Sequence, residues 1–220
     1  VKVRRSFAKP RFSASFPTSA LTVTDDFHRP DEIPIGPPWQ IGLEWFQNEA
    51  AIISNQYVSQ DRTTLWDGGA NYPGQWDNFE AIARLGTDIS TFDGTAFVEL
   101  GSGIVSAFHI MGVYLQPFSV VMKAHGRPDY PSAIVASIGD QIGMRVGGSV
   151  MSMWYCPVAT GAWEKRAEDA VADHHVDVLS LYTYADGATR GPIGVSEFRI
   201  AEIGDLIPAR GRITARRTAW

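Results

Sequence analysis

The chain has one cysteine, Cys156, among its 220 residues. No disulfide can form within it, so stability must come from packing. Beside Trp154 and Tyr155, this cysteine reads as a small apolar residue rather than a reactive thiol. Helical periodicity is almost missing: apolar residues seldom recur at three- and four-residue spacing, which excludes a helix bundle. The one helix candidate is 163–172, where Glu164, Lys165, Arg166, Glu168 and Asp169 could equally make a polar loop. Long apolar runs are missing too. The most apolar stretch, 104–122, is interrupted by His109, Gln116 and Pro117 and alternates as strands do, which argues against a membrane span. Residues 1–16 mix Lys and Arg with single aromatics and hold no apolar core of a secretory signal. No internal repeat, low-complexity tract or linker divides the body.

Period-two alternation is abundant. Leu21, Val23 and Phe27 alternate with polar neighbours, as do Phe79, Ala81, Ala83 and Leu85; Phe118, Val120 and Met122; Ile142, Met144 and Val146; and Phe198 and Ile200. One apolar and one polar face is what an antiparallel sheet with one wet side requires. Asp67-Gly68-Gly69, Asp93-Gly94, Gly147-Gly148 and Asp186-Gly187 supply turn signals between runs. Many short strands at this spacing predict a single all-β sandwich or barrel.

Charge is spread unevenly. Lys2, Arg4, Arg5, Lys9 and Arg11 precede the first acid, Asp25, and Arg210, Arg212, Arg216 and Arg217 follow the last, Asp205. Ten basic residues and all 24 acids remain between them, so the body carries −14 and the ends +9. The chain divides into a basic N-terminal arm (1–20), a sandwich (21–207) and a basic C-terminal tail (208–220). Basic arms on an acidic body suit docking onto an acidic neighbour: another copy of the chain, another protein, or nucleic acid. Arg4, Arg5, Phe7, Phe12, Phe16, Arg216, Arg217 and Trp220 are the candidate assembly residues. Their aromatics argue against a tail that is merely solvated.

The segment 24–39, TDDFHRPDEIPIGPPW, resembles the opening of laminin-G-like, concanavalin A-like jelly rolls through Asp25, Asp26, Phe27, Arg29, Asp31, Ile35, Gly36 and Trp39. The segment 191–203, GPIGVSEFRIAEI, is similar to the closing strands of that family. The resemblance implies a two-sheet antiparallel jelly roll whose last strand pairs beside the first. Such domains recur in virion proteins of tailed bacteriophages. The resemblance therefore implies a structural subunit of the minor tail, or a head or neck decoration, assembled in the host cytoplasm. Its partners would be copies of itself and other virion proteins, ahead of nucleic acid and without a membrane. The alternative is a carbohydrate-binding module that attaches to host-surface glycan.

Candidate chemistry is sparse. In Trp66–Trp76, expected to be a long loop, Trp66, Asn71, Tyr72, Gln75 and Trp76 have the makeup of a sugar-binding rim, with rings to stack on sugar faces and amides to read hydroxyls. Packing or a subunit contact is the competing use of the same rings. Asp173, His175 and Asp177 would share one face of a strand and could ligate a divalent ion, although a short cluster of this kind is more often solvated. Asp25 and Asp26 could help hold calcium, as in some laminin-G-like domains, but no further oxygen ligands are visible. A glycan-cleaving enzyme is disfavoured. The Glu-x-Asp-x-x-Glu strand of laminarinase-like members does not occur, and Glu80, Glu99 and Asp77 are isolated, whereas glycoside hydrolysis needs two acids flanking one bond. No catalytic residue and no cofactor are therefore assigned.

Overall fold

A computed structural model describes residues 23–40, 50–59, 61–62, 65–76, 78–92, 95–103, 109–124, 127–170, 176–186, 193–201, 203 and 207. Among the described residues fifteen strands lie in two antiparallel sheets. In chain order they are β1 (Val23–Asp25), β2 (Ala50–Ile53), β3 (Gln56–Ser59), β4 (Asp61–Arg62), β5 (Leu65–Trp76), β6 (Phe79–Leu85), β7 (Ala96–Gly103), β8 (His109–Gln116), β9 (Ser119–Ala124), β10 (Tyr130–Ala133), β11 (Gln141–Gly147), β12 (Val150–Cys156), β13 (Glu164–Ala170), β14 (Val176–Asp186) and β15 (Gly194–Ala201). The eight-stranded sheet has the order β13-β12-β11-β6-β15-β3-β2, with β1 also on β15; the seven-stranded sheet runs β10-β9-β8-β7-β14-β5-β4.

The two sheets face each other across one core. Phe79, Ala81, Ala83, Leu85, Ile142, Met144, Val146, Phe198 and Ile200 come from one sheet; Val98, Leu100, Met111, Val113, Leu115, Val120, Met122, Leu179 and Leu181 come from the other. The alternation in the sequence thus names the inward face of β6, β9, β11 and β15. Closing strand and opening strand meet as expected, Val23 opposite Ile200 and Asp25 opposite Phe198.

The opening motif works as a hub. Asp25 is nearly buried; its carboxylate accepts from the Phe27 amide at 2.8 Å, from the Arg29 guanidinium at 2.8 and 3.0 Å, and from the Trp39 indole at 2.7 Å. Phe27 takes φ of 54°, a strained value for a large residue. The Asp25 bond and full burial against Trp39 and Tyr57 hold it there. Asp31 reaches across to the β2–β3 turn and accepts from the Ser54 amide at 2.9 Å.

Local expectations are corrected at three places. The helix candidate is strand β13: its charged side chains suit a solvent-facing edge, and backbone pairing to apolar β12 outweighs local helix propensity. The Trp66–Trp76 loop is strand β5, with Asp67-Gly68-Gly69 inside it opposite Tyr184, Thr183 and Tyr182. Glycines there read as a turn, but β14 pairs with all three residues and keeps the segment extended. Phe118 lies in the β8–β9 turn and is 61% exposed instead of facing inward. Gly148, by contrast, makes the β11–β12 turn with φ of 59°, where a glycine is needed.

Candidate functional site

Alternation that sends Val98, Leu100, Leu181 and Val113 inward sends their neighbours to the outer face of the seven-stranded sheet. Cross-strand register then sets three rows on that face. Asn71, Ser180, Gly101, Gly112 and Lys123 stand opposite one another in the first. Gly69, Tyr182, Glu99, Tyr114 and Val121 form the second. Tyr184 and Phe97 pair in the third.

The second and third rows hold an aromatic cluster centred on Phe97. Its ring stacks on Tyr184 at 5.3 Å and 17°, meets Tyr182 at 5.7 Å and meets Tyr114 edge-on at 5.5 Å. All four rings are half-buried. Glu99 sits among them, only 4% exposed. A Cβ placed on Gly112 would stand 3.1 Å from Glu99 Oε1 and 3.1 Å from the Tyr114 ring, so the carboxylate leans over the glycine. The Tyr114 hydroxyl donates to Glu99; burial, then the Glu99 charge, push that phenol far above its ordinary pKa and keep it a donor. Lys123, opposite Gly112, holds its ammonium 5.0 Å from the Tyr114 ring centre and 3.4 Å from Asp129. Rings beside a fixed carboxylate on a strand-built floor are suited to stack on a pyranose and accept its donors.

The rim named from the sequence is distributed differently. Trp76 is 7% exposed and belongs to the core, and its ring folds over Gly74. Tyr72 packs inward, edge-on to Trp39 at 5.6 Å and 6.3 Å from Phe198. Asn71 is buried in the first row. Trp66 and Gln75 lie in β5, and nothing of their side chains is described. The arm residues Arg4, Arg5, Phe7, Phe12, Phe16, Arg216, Arg217 and Trp220 lie outside the described residues, as do Asp173 and His175; Asp177 lies in β14 at a register shift.

Asp25 and Asp26, the calcium candidates of the opening motif, are engaged elsewhere. Asp25 gives its oxygens to Arg29, Trp39 and Phe27, and Asp26 accepts from the His28 amide at 3.0 Å. Among the described residues no three His, Cys, Asp or Glu side chains gather as ligands. Nor can Glu80 join Glu99 across one glycosidic bond. Glu80 lies on the outer face of the other sheet, paired with Arg145 at 2.8 Å. Cys156 is buried, and burial raises its thiol pKa, consistent with a packing role.

The aromatic face escaped sequence reasoning because its members come from three strands far apart in the chain. The usable signal was Phe97 and Glu99 alternating with Val98 and Leu100, and Tyr182 and Tyr184 alternating with Leu181 and Thr183: the wet side of two strands carries rings.

No protein-family model matches the chain, and no curated protein matches it in sequence. Solved structures do resemble it in fold. The exoplasmic/lumenal domain of VIP36, in a Ca2+/Man3GlcNAc-bound form, aligns with a TM-score of 0.56 at 9% identity, over 77% of this chain and 85% of that one. Lectin II from Ulex europaeus gives 0.56 at 11% identity over 82% and 97%. A legume lectin-like domain from Entamoeba histolytica gives 0.56 at 10% identity over 72% and 89%. At such identities the likeness is one of fold: the chain is built as a legume-lectin-like, concanavalin A-like jelly roll.

Proposed function

We propose that this chain is a carbohydrate-binding module whose binding surface is the outer face of the seven-stranded sheet. The observation that carries the reading is the cluster of Phe97, Tyr114, Tyr182 and Tyr184 around the nearly buried Glu99. Rings kept half-exposed on a sheet face supply apolar area for a sugar, and the carboxylate supplies a directional acceptor. The fold neighbours add support, since one is mannose-oligosaccharide-bound and another is complexed with galactose. The virion role expected from the basic arms gains nothing from these lectin neighbours and rests on residues outside those described, so glycan binding replaces it as the leading reading.

A glycan array followed by calorimetric titration tests the proposal. Tyr184→Ala removes the ring stacked on Phe97 without touching the core and should weaken the best array ligand about tenfold. An array without a ligand, or unchanged affinity in this variant, overturns it.

A further inference from the structure

Resting on the glycan-binding reading, we propose that the preferred sugar carries a free amine, held as an ammonium by Glu99 between the rings of Tyr182 and Tyr114. Register sets Glu99 between those two tyrosines on adjacent strands. Its carboxylate is nearly buried and, with the Tyr114 ring, takes the space over Gly112 that a side chain there would need. A fixed negative charge flanked by ring faces is the arrangement that attracts an ammonium: the carboxylate bonds it and the rings add cation–π attraction.

The protein's own Lys123 already uses one of these rings. Its ammonium lies 5.0 Å from the Tyr114 ring centre, from a strand position opposite Gly112. Lys123 and its partner Asp129 are both about half exposed, 47% and 56%, so this internal cation is weakly held and an incoming amine can displace it. The charge of the body acts the same way at longer range: at −14 between the arms it draws cationic ligands and repels uronates and sulfated glycans.

The experiment titrates the full chain with three probes of similar length: β-1,4-linked glucosamine oligomers, their N-acetylated counterparts and oligogalacturonate. A slightly acid buffer keeps the amine charged. The glucosamine oligomer should bind about tenfold or more tightly than the acetylated one, and the uronate should not bind. Glu99→Gln keeps the shape and the bond from Tyr114 and should abolish most of that preference; its urea transition should match the parent's. Lys123→Ala, at an exposed site, should tighten the amine by removing its competitor. Equal binding of amine and acetamide, or a preference that survives Glu99→Gln, overturns the amine assignment. Should a neutral sugar bind and the glucosamine oligomer not, the amine falls while glycan binding stands; a blank array removes both.

Discussion

Asp25 shows how much one side chain can organise. Three donors converge on it: the amide of a residue at positive φ, a guanidinium and a buried indole. Asp25→Ala leaves the Trp39 indole without its acceptor and Phe27 without its tether. The expected cost is about 3–5 kcal/mol, seen as a lower urea midpoint. Asp25→Asn keeps one acceptor oxygen, for either the Phe27 amide or the Trp39 indole, turns an NH2 donor on the other and weakens the pairing with Arg29, so it should cost nearly as much as the alanine, about 2–4 kcal/mol. A cost below about 1 kcal/mol for the asparagine would mean that the separate bonds to the two oxygens do not hold the hub. Much of this was legible beforehand: Phe27 burying a ring, Trp39 plugging the core, and Arg29 and Asp31 holding the turn follow from residue type and spacing. The Asp25–Trp39 bond was not, because fourteen residues separate the partners and nothing local marks an indole as the one that turns back.

Between elements, glycine and charge together decide how the outer face of the eight-stranded sheet is covered. Ile82, Gly143 and Trp154 stand in one cross-strand row, Glu80, Arg145 and Ser152 in another. Ile203 and Ile207, beyond β15, lie over β11. A Cβ on Gly147 would meet Ile203 at 2.5 Å, and one on Gly143 would meet Ile207 at 2.6 Å. Ile207 fills the gap between Ile82 and Trp154 and is fully buried with Trp163 against it. Its amide donates to Glu80 Oε1 at 2.9 Å and its carbonyl accepts from Arg145, which also binds Glu80 and covers the Trp154 ring at 4.8 Å. Arg145→Ala would take the guanidinium from Glu80, which is fully buried, and should cost about 3–5 kcal/mol. The double change Glu80→Gln, Arg145→Met should cost clearly less than the sum of the singles, since it removes the unpaired charge as well as the pair; additive losses in a double-mutant cycle would show that the two are not coupled. Strands β6, β11 and β15 could be read from alternation because one face is apolar and the other polar. Strand β13 could not: both faces are charged, and only its neighbour β12 tells it from a helix.

Across the whole molecule, the two outer faces have different tasks. The seven-stranded sheet presents rings and a carboxylate, whereas the eight-stranded sheet is covered by Ile203 and Ile207. The jelly roll itself was visible at both ends of the body, in the DDF opening and the closing strand. The aromatic face was not, because Phe97, Tyr114 and Tyr182 meet only once β7, β8 and β14 are in register. This division of faces can be tested by where the chain is cut. Ending it after 207 removes the basic tail but keeps the Ile207 strap, so thermal stability should stay near that of the parent. Ending it after 202 uncovers Ile82, Trp154 and Trp163 and takes from Glu80 and Arg145 their bonds to the Ile207 backbone. Loss of one buried isoleucine and those bonds should cost about 3–5 kcal/mol and lower the melting temperature by about 10 °C. Glycan affinity, measured well below that temperature, should be the same for both truncations, since the strap and the rings lie on opposite sides of the core. If the cut after 202 weakens sugar binding while the protein remains folded, the faces are coupled through the sandwich and the strap belongs to the binding machinery. If it melts with the parent, the strap adds nothing to the fold in solution, and the close fit of Ile207 over Gly143 needs another purpose.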